Sequence, residues 1–123
     1  MPELPEVETV RRGLAPAMQG RFIVRADVHR PDIRRSLPAG LSETLSGSRI
    51  LGLRRRGKYL LMDLDNGSTV LWHLGMSGQM RLHRPGEGTA ERLAHTHIEL
   101  HLDDGACLQF TDPRRFGMVD LYP

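Results

Sequence analysis

The chain has 123 residues, room for one domain with a modest core and not for two. Hydrophobic residues make up 39%; no window is apolar for the length a bilayer span needs, and the opening lacks the basic-then-apolar order of a secretory signal, so a soluble cytosolic protein is expected. The one cysteine, Cys107, excludes an internal disulfide and a cysteine-based zinc site, and although the net charge is only +2, the basic side is 16 Arg against a single Lys, Lys58, which suits phosphates and base edges.

From Leu4 to Met18, Leu4, Val7, Val10 and Leu14 recur at helical spacing. Pro5 falls where a first turn tolerates it, acids come early and Arg11-Arg12 late, and Gly20 closes the helix. The period then changes to two: Phe22, Val24, Ala26 and Val28 alternate with polar neighbours, as in a half-buried strand. A short helix is expected around Leu41 to Leu45. Strands follow at Arg49 to Arg56, Lys58 to Asp65 and Ser68 to Leu74, with Asn66-Gly67 between the last two predicting a type I′ hairpin. Gly75 to Leu82 reads as a further strand, and Arg84 to Leu93 as a mobile surface loop. His95 to Leu102 and Ala106 to Thr111 flank a second tight turn at Asp104-Gly105, and Arg115 to Tyr122 closes the chain. The expected class is α+β, mainly β: an antiparallel β-sandwich or flattened barrel with the N-terminal helix packed against it, in one domain over 1–123.

The first residues, MPELPEVET, carry chemistry. Without Met1, Pro2 is a free secondary amine close to a helix N-terminus, where the positive end of the dipole favours the neutral, nucleophilic form. A secondary amine that attacks an aldehyde carbon gives an iminium with no proton to lose from nitrogen. Glu3 and Glu6 can supply an acid, a base or a carboxylate at the helix start. The plainer reading is that Pro5 and the acids begin a helix; it accounts for Pro5, Glu6 and Glu8 and leaves Pro2-Glu3 unexplained, and on these residues alone both readings stand.

Four segments in order, MPELPEVETVRRGL, RRRGKYLL, HLGMSGQ and TDPRRFG, span Pro2 to Gly117. Together they resemble the N-terminal catalytic domain of bacterial formamidopyrimidine-DNA glycosylases, which remove 8-oxoguanine and ring-opened purines from DNA. The related endonuclease VIII family begins similarly but carries Gly where this chain has Leu4, which favours the oxidised-purine branch. The resemblance implies a bifunctional glycosylase and abasic-site lyase of base-excision repair. Pro2 would attack the sugar C1′ and release the base, and the resulting Schiff base would drive β- and then δ-elimination. It makes Glu3 the acid/base that opens the sugar, Glu6 a second acid of the site, and Lys58 and His73 phosphate contacts. Met76 with Arg114 and Phe116 would fill the space left by the extruded nucleotide, Arg115 accompanying them at the loop tip. Apolar wedges and an Arg reaching an orphan base lower the cost of flipping a nucleotide. Without the resemblance, Lys58 reads as a solvated strand residue, Phe116 as the first core residue of the last strand and Met76 as a gap filler.

The implied partner is damaged double-stranded DNA, with no membrane and no obligate protein partner, in the bacterial cytoplasm at the nucleoid. The resemblance also implies a helix-two-turn-helix module and a zinc finger with a structural zinc, neither of which lies within 1–123, so no cofactor is expected in this chain. Residues 1–123 alone are expected to bind DNA weakly, with strong salt dependence and little excision. Two alternatives are a non-catalytic DNA-binding module and a self-associating fragment. Finally, His95, His97, Glu99 and His101 alternate with Ile98, Leu100 and Leu102; this spacing can hold zinc, but the expectation is a solvated strand face.

Overall fold

The computed structural model describes residues 4–29, 38–75, 78–86, 96–113 and 117–122. Helix α1 runs Leu4–Met18 and is followed by strand β1, Ile23–Val28, helix α2, Leu41–Leu45, and strands β2, Ile50–Arg56, β3, Tyr59–Leu64, β4, Thr69–His73, β5, Gln79–His83, β6, Thr96–Leu102, β7, Cys107–Thr111, and β8, Met118–Tyr122. Among the described residues all strand pairings are antiparallel, in two four-stranded sheets ordered β1-β6-β7-β5 and β2-β3-β4-β8. The expected helix-capped β-sandwich is therefore the fold. The expected loop at Arg84 to Leu93 falls mostly on residues outside the described ones.

The period of two decides what lies between the sheets except at the start of β1, where a bulge between Ile23 and Arg25 puts Ile23 in the core and leaves Phe22 and Val24, expected on the buried side, 45% and 63% exposed. Ile23 and Ala26 from β1, Leu53 from β2, Leu60, Met62 and Leu64 from β3, Val70 and Trp72 from β4, Ile98 and Leu100 from β6 and Leu108 and Phe110 from β7 form one buried apolar cluster. Trp72 and Phe110 meet edge-on across it with ring centroids 5.6 Å apart, a favoured aromatic geometry. Helix α1 adds Val7, Leu14 and Met18 to the same cluster, a stripe of seven-then-four spacing that lies on one helical face. Past Met18 the chain turns at Gly20, whose φ of 84° suits glycine, and the Gly20 N–H donates to the Ile50 carbonyl at 2.7 Å.

The hairpins differ from expectation in one respect. A type I′ turn would place Asn66 and Gly67 at the two central positions. Instead the Gly67 N–H donates to Leu64 O at 3.2 Å and the Leu64 N–H to Ser68 O at 2.9 Å, with Gly67 at φ 87°. This is a three-residue loop, a type I turn closed by a left-handed glycine. The Asn66 Oδ1 accepts the Ser68 N–H at 3.0 Å and so holds the wider loop. Asp104-Gly105 repeats the design: Gly105 N–H to Leu102 O at 3.1 Å, Leu102 N–H to Ala106 O at 2.9 Å, and Ala106 N–H to Asp104 Oδ1 at 3.0 Å. By contrast β2 and β3 are joined by Gly57-Lys58 alone, since Arg56 pairs with Tyr59; Gly57 at φ 60° provides the primed turn that so short a hairpin needs.

The His/Glu face on β6 is only partly solvated: His101 keeps a side chain 31% exposed, whereas His97 is 0% exposed and Glu99, whose two oxygens meet His29 and Gln109, 7%. A bulge between Thr96 and Ile98 also breaks the alternation. It carries His97 to Phe110, with ring centroids 6.1 Å apart, while its Nε2 lies 3.0 Å from the Asp112 carbonyl oxygen. Of the four expected members, His95 lies outside the described residues.

Candidate nucleic-acid interface

Strand pairing gathers one end of the β2-β3-β4-β8 sheet. The β2–β3 turn, the last residue of β4 and the first of β8 all lie there, since Arg56 pairs with Tyr59 and His73 with Met118. Lys58 sits half-buried in the turn. His73 is 7% exposed and its ring lies 5.1 Å from that of Tyr59, tilted by 46°. Tyr59, itself 39% exposed, is thus a wall of this end that the sequence did not single out.

Helix α1 docks with its start toward the same end. Arg11 Nη1 donates to Leu53 O at 3.4 Å, whereas Glu8, nearer the helix start, accepts from Arg55 Nε at 3.1 Å. Moving toward the helix N-terminus therefore moves along β2 toward Gly57-Lys58. Glu6 lies in the first helical turn and is exposed, next to buried Val7. Pro2 and Glu3 lie outside the described residues.

Glu8 is a fastening that sequence reasoning took only as a helix-start acid. Its carboxylate accepts from Arg11 Nε and Nη2 at 2.8 and 2.6 Å, from Arg12 Nε at 2.8 Å and from Arg55. The hydrogen bonds from Arg11, then Arg12 and Arg55, hold its carboxyl well below the usual carboxylate range, and Arg11 is pushed up in return. Spacing predicted two of these partners, at i+3 and i+4; only the fold brought Arg55.

Two loops leave this end, and their bases are tight. Leu74 and Gly78 close the first: the Gly78 N–H donates to Leu74 O at 2.8 Å, and a Cβ on Gly78 would lie 2.2 Å from that oxygen. Asp112 and Gly117 close the second. Asp112 is 0% exposed and its Oδ2 accepts the Gly117 N–H at 2.7 Å, while a Cβ on Gly117 would meet both that oxygen and His73 O at 2.8 Å. The two bases therefore touch, Gly117 lying against the strand end from which the first loop departs. Met76 belongs to the first loop, and Arg114, Arg115 and Phe116 to the second; all four lie outside the described residues. Asp112 and Gly117 as loop clamps were missed beyond the Asp-Pro turn signal, although an Asp five residues before a Gly was there to be read.

The remaining surface arginines are partly spoken for. Arg54 forms a two-point pair with Asp63, its Nε and Nη2 lying 2.7 and 3.0 Å from the two carboxylate oxygens; Arg54 first, with help from Thr69, lowers the Asp63 pKa against the effect of burial. Among the described residues no helix is long and apolar enough to cross a membrane.

Comparison with known proteins places this arrangement. Residues 1–119 match the family model described as the formamidopyrimidine-DNA glycosylase N-terminal domain. The formamidopyrimidine-DNA glycosylase of Ruegeria sp. (strain TM1040) is 53% identical over 98% of this chain and 44% of its own length, and that of Paracoccus denitrificans is 50% identical over 100% and 46%. The Lactococcus lactis enzyme crystallised with DNA containing an abasic site superposes with a TM-score of 0.87 at 34% identity, covering 98% of this chain and 45% of that one. The same enzyme with DNA containing Fapy-dG gives 0.85 at 34% identity, over 97% and 43%. The chain thus spans less than half the length of the relatives it matches.

Proposed function

Because the chain belongs to the formamidopyrimidine-DNA glycosylase family through its N-terminal domain, we propose that it carries the nucleophilic half of a base-excision-repair glycosylase and abasic-site lyase for oxidised purines, acting on damaged double-stranded DNA in the bacterial cytoplasm. One observation carries the reading. The start of α1, the Lys58 turn, His73 and the bases of both loops converge on a single end of one sheet, as a site that holds one flipped nucleotide requires.

The roles follow from chemistry at that end. Pro2, once Met1 is removed, attacks the sugar C1′ and the base leaves. Glu3 donates a proton to the ring oxygen so that the sugar opens; the iminium acidifies the adjacent C2′–H, whose loss expels the 3′ phosphate by β-elimination, and the conjugated iminium then acidifies the C4′–H, whose loss expels the 5′ phosphate by δ-elimination. Glu6 adds negative charge beside the developing cation. Lys58 and His73 hold the phosphate next to the lesion, the lysine as a point charge and the histidine from a position fixed by Tyr59. Met76, Arg114 and Phe116 occupy the space the nucleotide vacates, with Arg115 beside them on the DNA, their loops held from below by Gly78 and Asp112.

The test is borohydride trapping on a duplex containing an abasic site, with protein shown by intact mass to lack Met1 and the adduct mapped to a residue. An adduct on Pro2 is expected, and Pro2→Gly, which keeps a primary amine, retains part of it. Equal trapping by protein whose N-terminus is blocked would refute the assignment of Pro2.

A further inference from the structure

The outer side of the β1-β6-β7-β5 sheet carries chemistry that the glycosylase reading does not use. Asp27 on β1 stands directly opposite Glu99 on β6. Two carboxylates on one rung repel each other, so this pairing asks for a cation. His29 follows Asp27 by two residues and its Nε2 lies 2.5 Å from Glu99 Oε1. His101 follows Glu99 by two residues and its Nε2 lies 3.2 Å from Asp27 Oδ2. The other Glu99 oxygen accepts from Gln109 Nε2 at 2.8 Å. Ligand atoms of Asp27, His29 and Glu99 all lie within 4.8 Å of one another.

We propose that Asp27, His29 and Glu99 form a binding site for a divalent cation of the zinc class, which clamps β1 to β6. Imidazole plus carboxylate oxygens suits Zn²⁺ and Co²⁺ better than Mg²⁺ or Ca²⁺. Tetrahedral bonds of about 2.0–2.1 Å set donor atoms roughly 3.3 Å apart, so the close His29–Glu99 pair opens and the wider separations close, movements within side-chain rotation. The site has an entrance, since the side chains of Asp27 and His29 are 30% and 22% exposed. His101 orients Asp27 from the adjacent rung. Arg25, whose Nε is 3.1 Å from Asp27 Oδ2 and whose side chain is 64% exposed, is the competing cation and swings into solvent when the ion enters. Cys107 lies 4.0 Å from Glu99 Oε2 and with His101 and Glu99 makes a second close group; it is 5% exposed and lies off the Asp27–Glu99 rung, so the ion is assigned to the open side. This departs from the wet, metal-free face expected of the sequence.

The experiment titrates Zn²⁺, and separately Co²⁺, into the chelator-stripped chain near neutral pH, followed by calorimetry, visible absorption and thermal melting. One ion per chain is expected, with a melting temperature that rises with Zn²⁺ concentration. Asp27→Asn, His29→Ala and Glu99→Gln are each expected to weaken binding by about ten-fold or more, while Cys107→Ser leaves it within about two-fold. Asp27→Asn, on the exposed side, keeps the test valid if Glu99→Gln disturbs folding. Lack of binding at about 100 μM Zn²⁺, or binding that survives Asp27→Asn and His29→Ala, overturns the proposal. So does loss of binding in Cys107→Ser together with a thiolate-to-Co²⁺ charge-transfer band.

Discussion

Replacing Gly78 by alanine tests whether the first loop is held by backbone contact. The added Cβ would lie 2.2 Å from Leu74 O and 2.9 Å from both the Leu74 carbonyl carbon and Cα. All three are backbone atoms, so no rotamer change relieves the clash; the loop base must open by about an ångström to reach ordinary contact. Overpacking of this kind costs about 1–3 kcal/mol. The Gly78 N–H to Leu74 O bond of 2.8 Å goes with it, at about 0.5–1.5 kcal/mol. Together they give about 1.5–4.5 kcal/mol. With unfolding entropy of about 2.1 cal/mol/K per residue, each kcal/mol moves the melting temperature of a chain this size by about 4 °C, so a drop of about 6–18 °C is expected. Differential scanning calorimetry measures it. The internal control is Gly13→Ala, because Gly13 lies in α1 and a Cβ added there would meet nothing within 4 Å. There alanine should stabilise by about 0.5–1 kcal/mol. A Gly78→Ala protein that melts within about 2 °C of the parent would refute the reasoning.

Glu8→Gln removes the acceptor that ties Arg11, Arg12 and Arg55 together. Because the Glu8 pKa is lowered in the folded chain, its contribution is present above its ordinary value near 4.5 and fades as pH falls below it; the melting difference between parent and variant should therefore shrink from pH 7 toward pH 3, and a constant difference would contradict the assignment. Lys58→Met should weaken binding to abasic-site DNA and reduce the slope of log K against log salt by about 1, as read by fluorescence anisotropy; an unchanged slope would remove Lys58 from the phosphate contacts. His97→Ala leaves a cavity beside Phe110 and strips Asp112 O of a donor, for an expected loss of about 2–4 kcal/mol in denaturant unfolding; a loss below about 1 kcal/mol would show that the bulge does not need its imidazole.

The sequence determined the elements because their signals are local. Val7 and Leu14 announce the buried face of α1 through helical spacing, Asp104-Gly105 announces a turn, and alternation along Ala26, Val28, Leu100 and Leu102 announces strands, whatever the rest of the chain does. It also assigned the family, since four such motifs do not fall in one order by chance, and with the family came Pro2, Glu3, Glu6, Lys58 and His73 as candidates. Three features depended on strand register or on partners distant in sequence, which residue preferences alone do not encode. Asn66-Gly67 carries a strong two-residue turn signal, yet the Leu64–Ser68 pairing sets the loop at three residues. Alternation put His97 beside Glu99, and the bulge opposite Phe110 moved it. Glu8 looked like a helix-start acid until the packing of α1 on β2 brought Arg55 to it. The tertiary structure alone decided which strand ends share an edge: the register of His73 with Met118 places Gly117 against His73 O. Segments far apart in the chain thereby form two adjoining loop bases. Composition and spacing specify what each segment prefers; hydrogen-bond register between segments specifies where the chemistry meets.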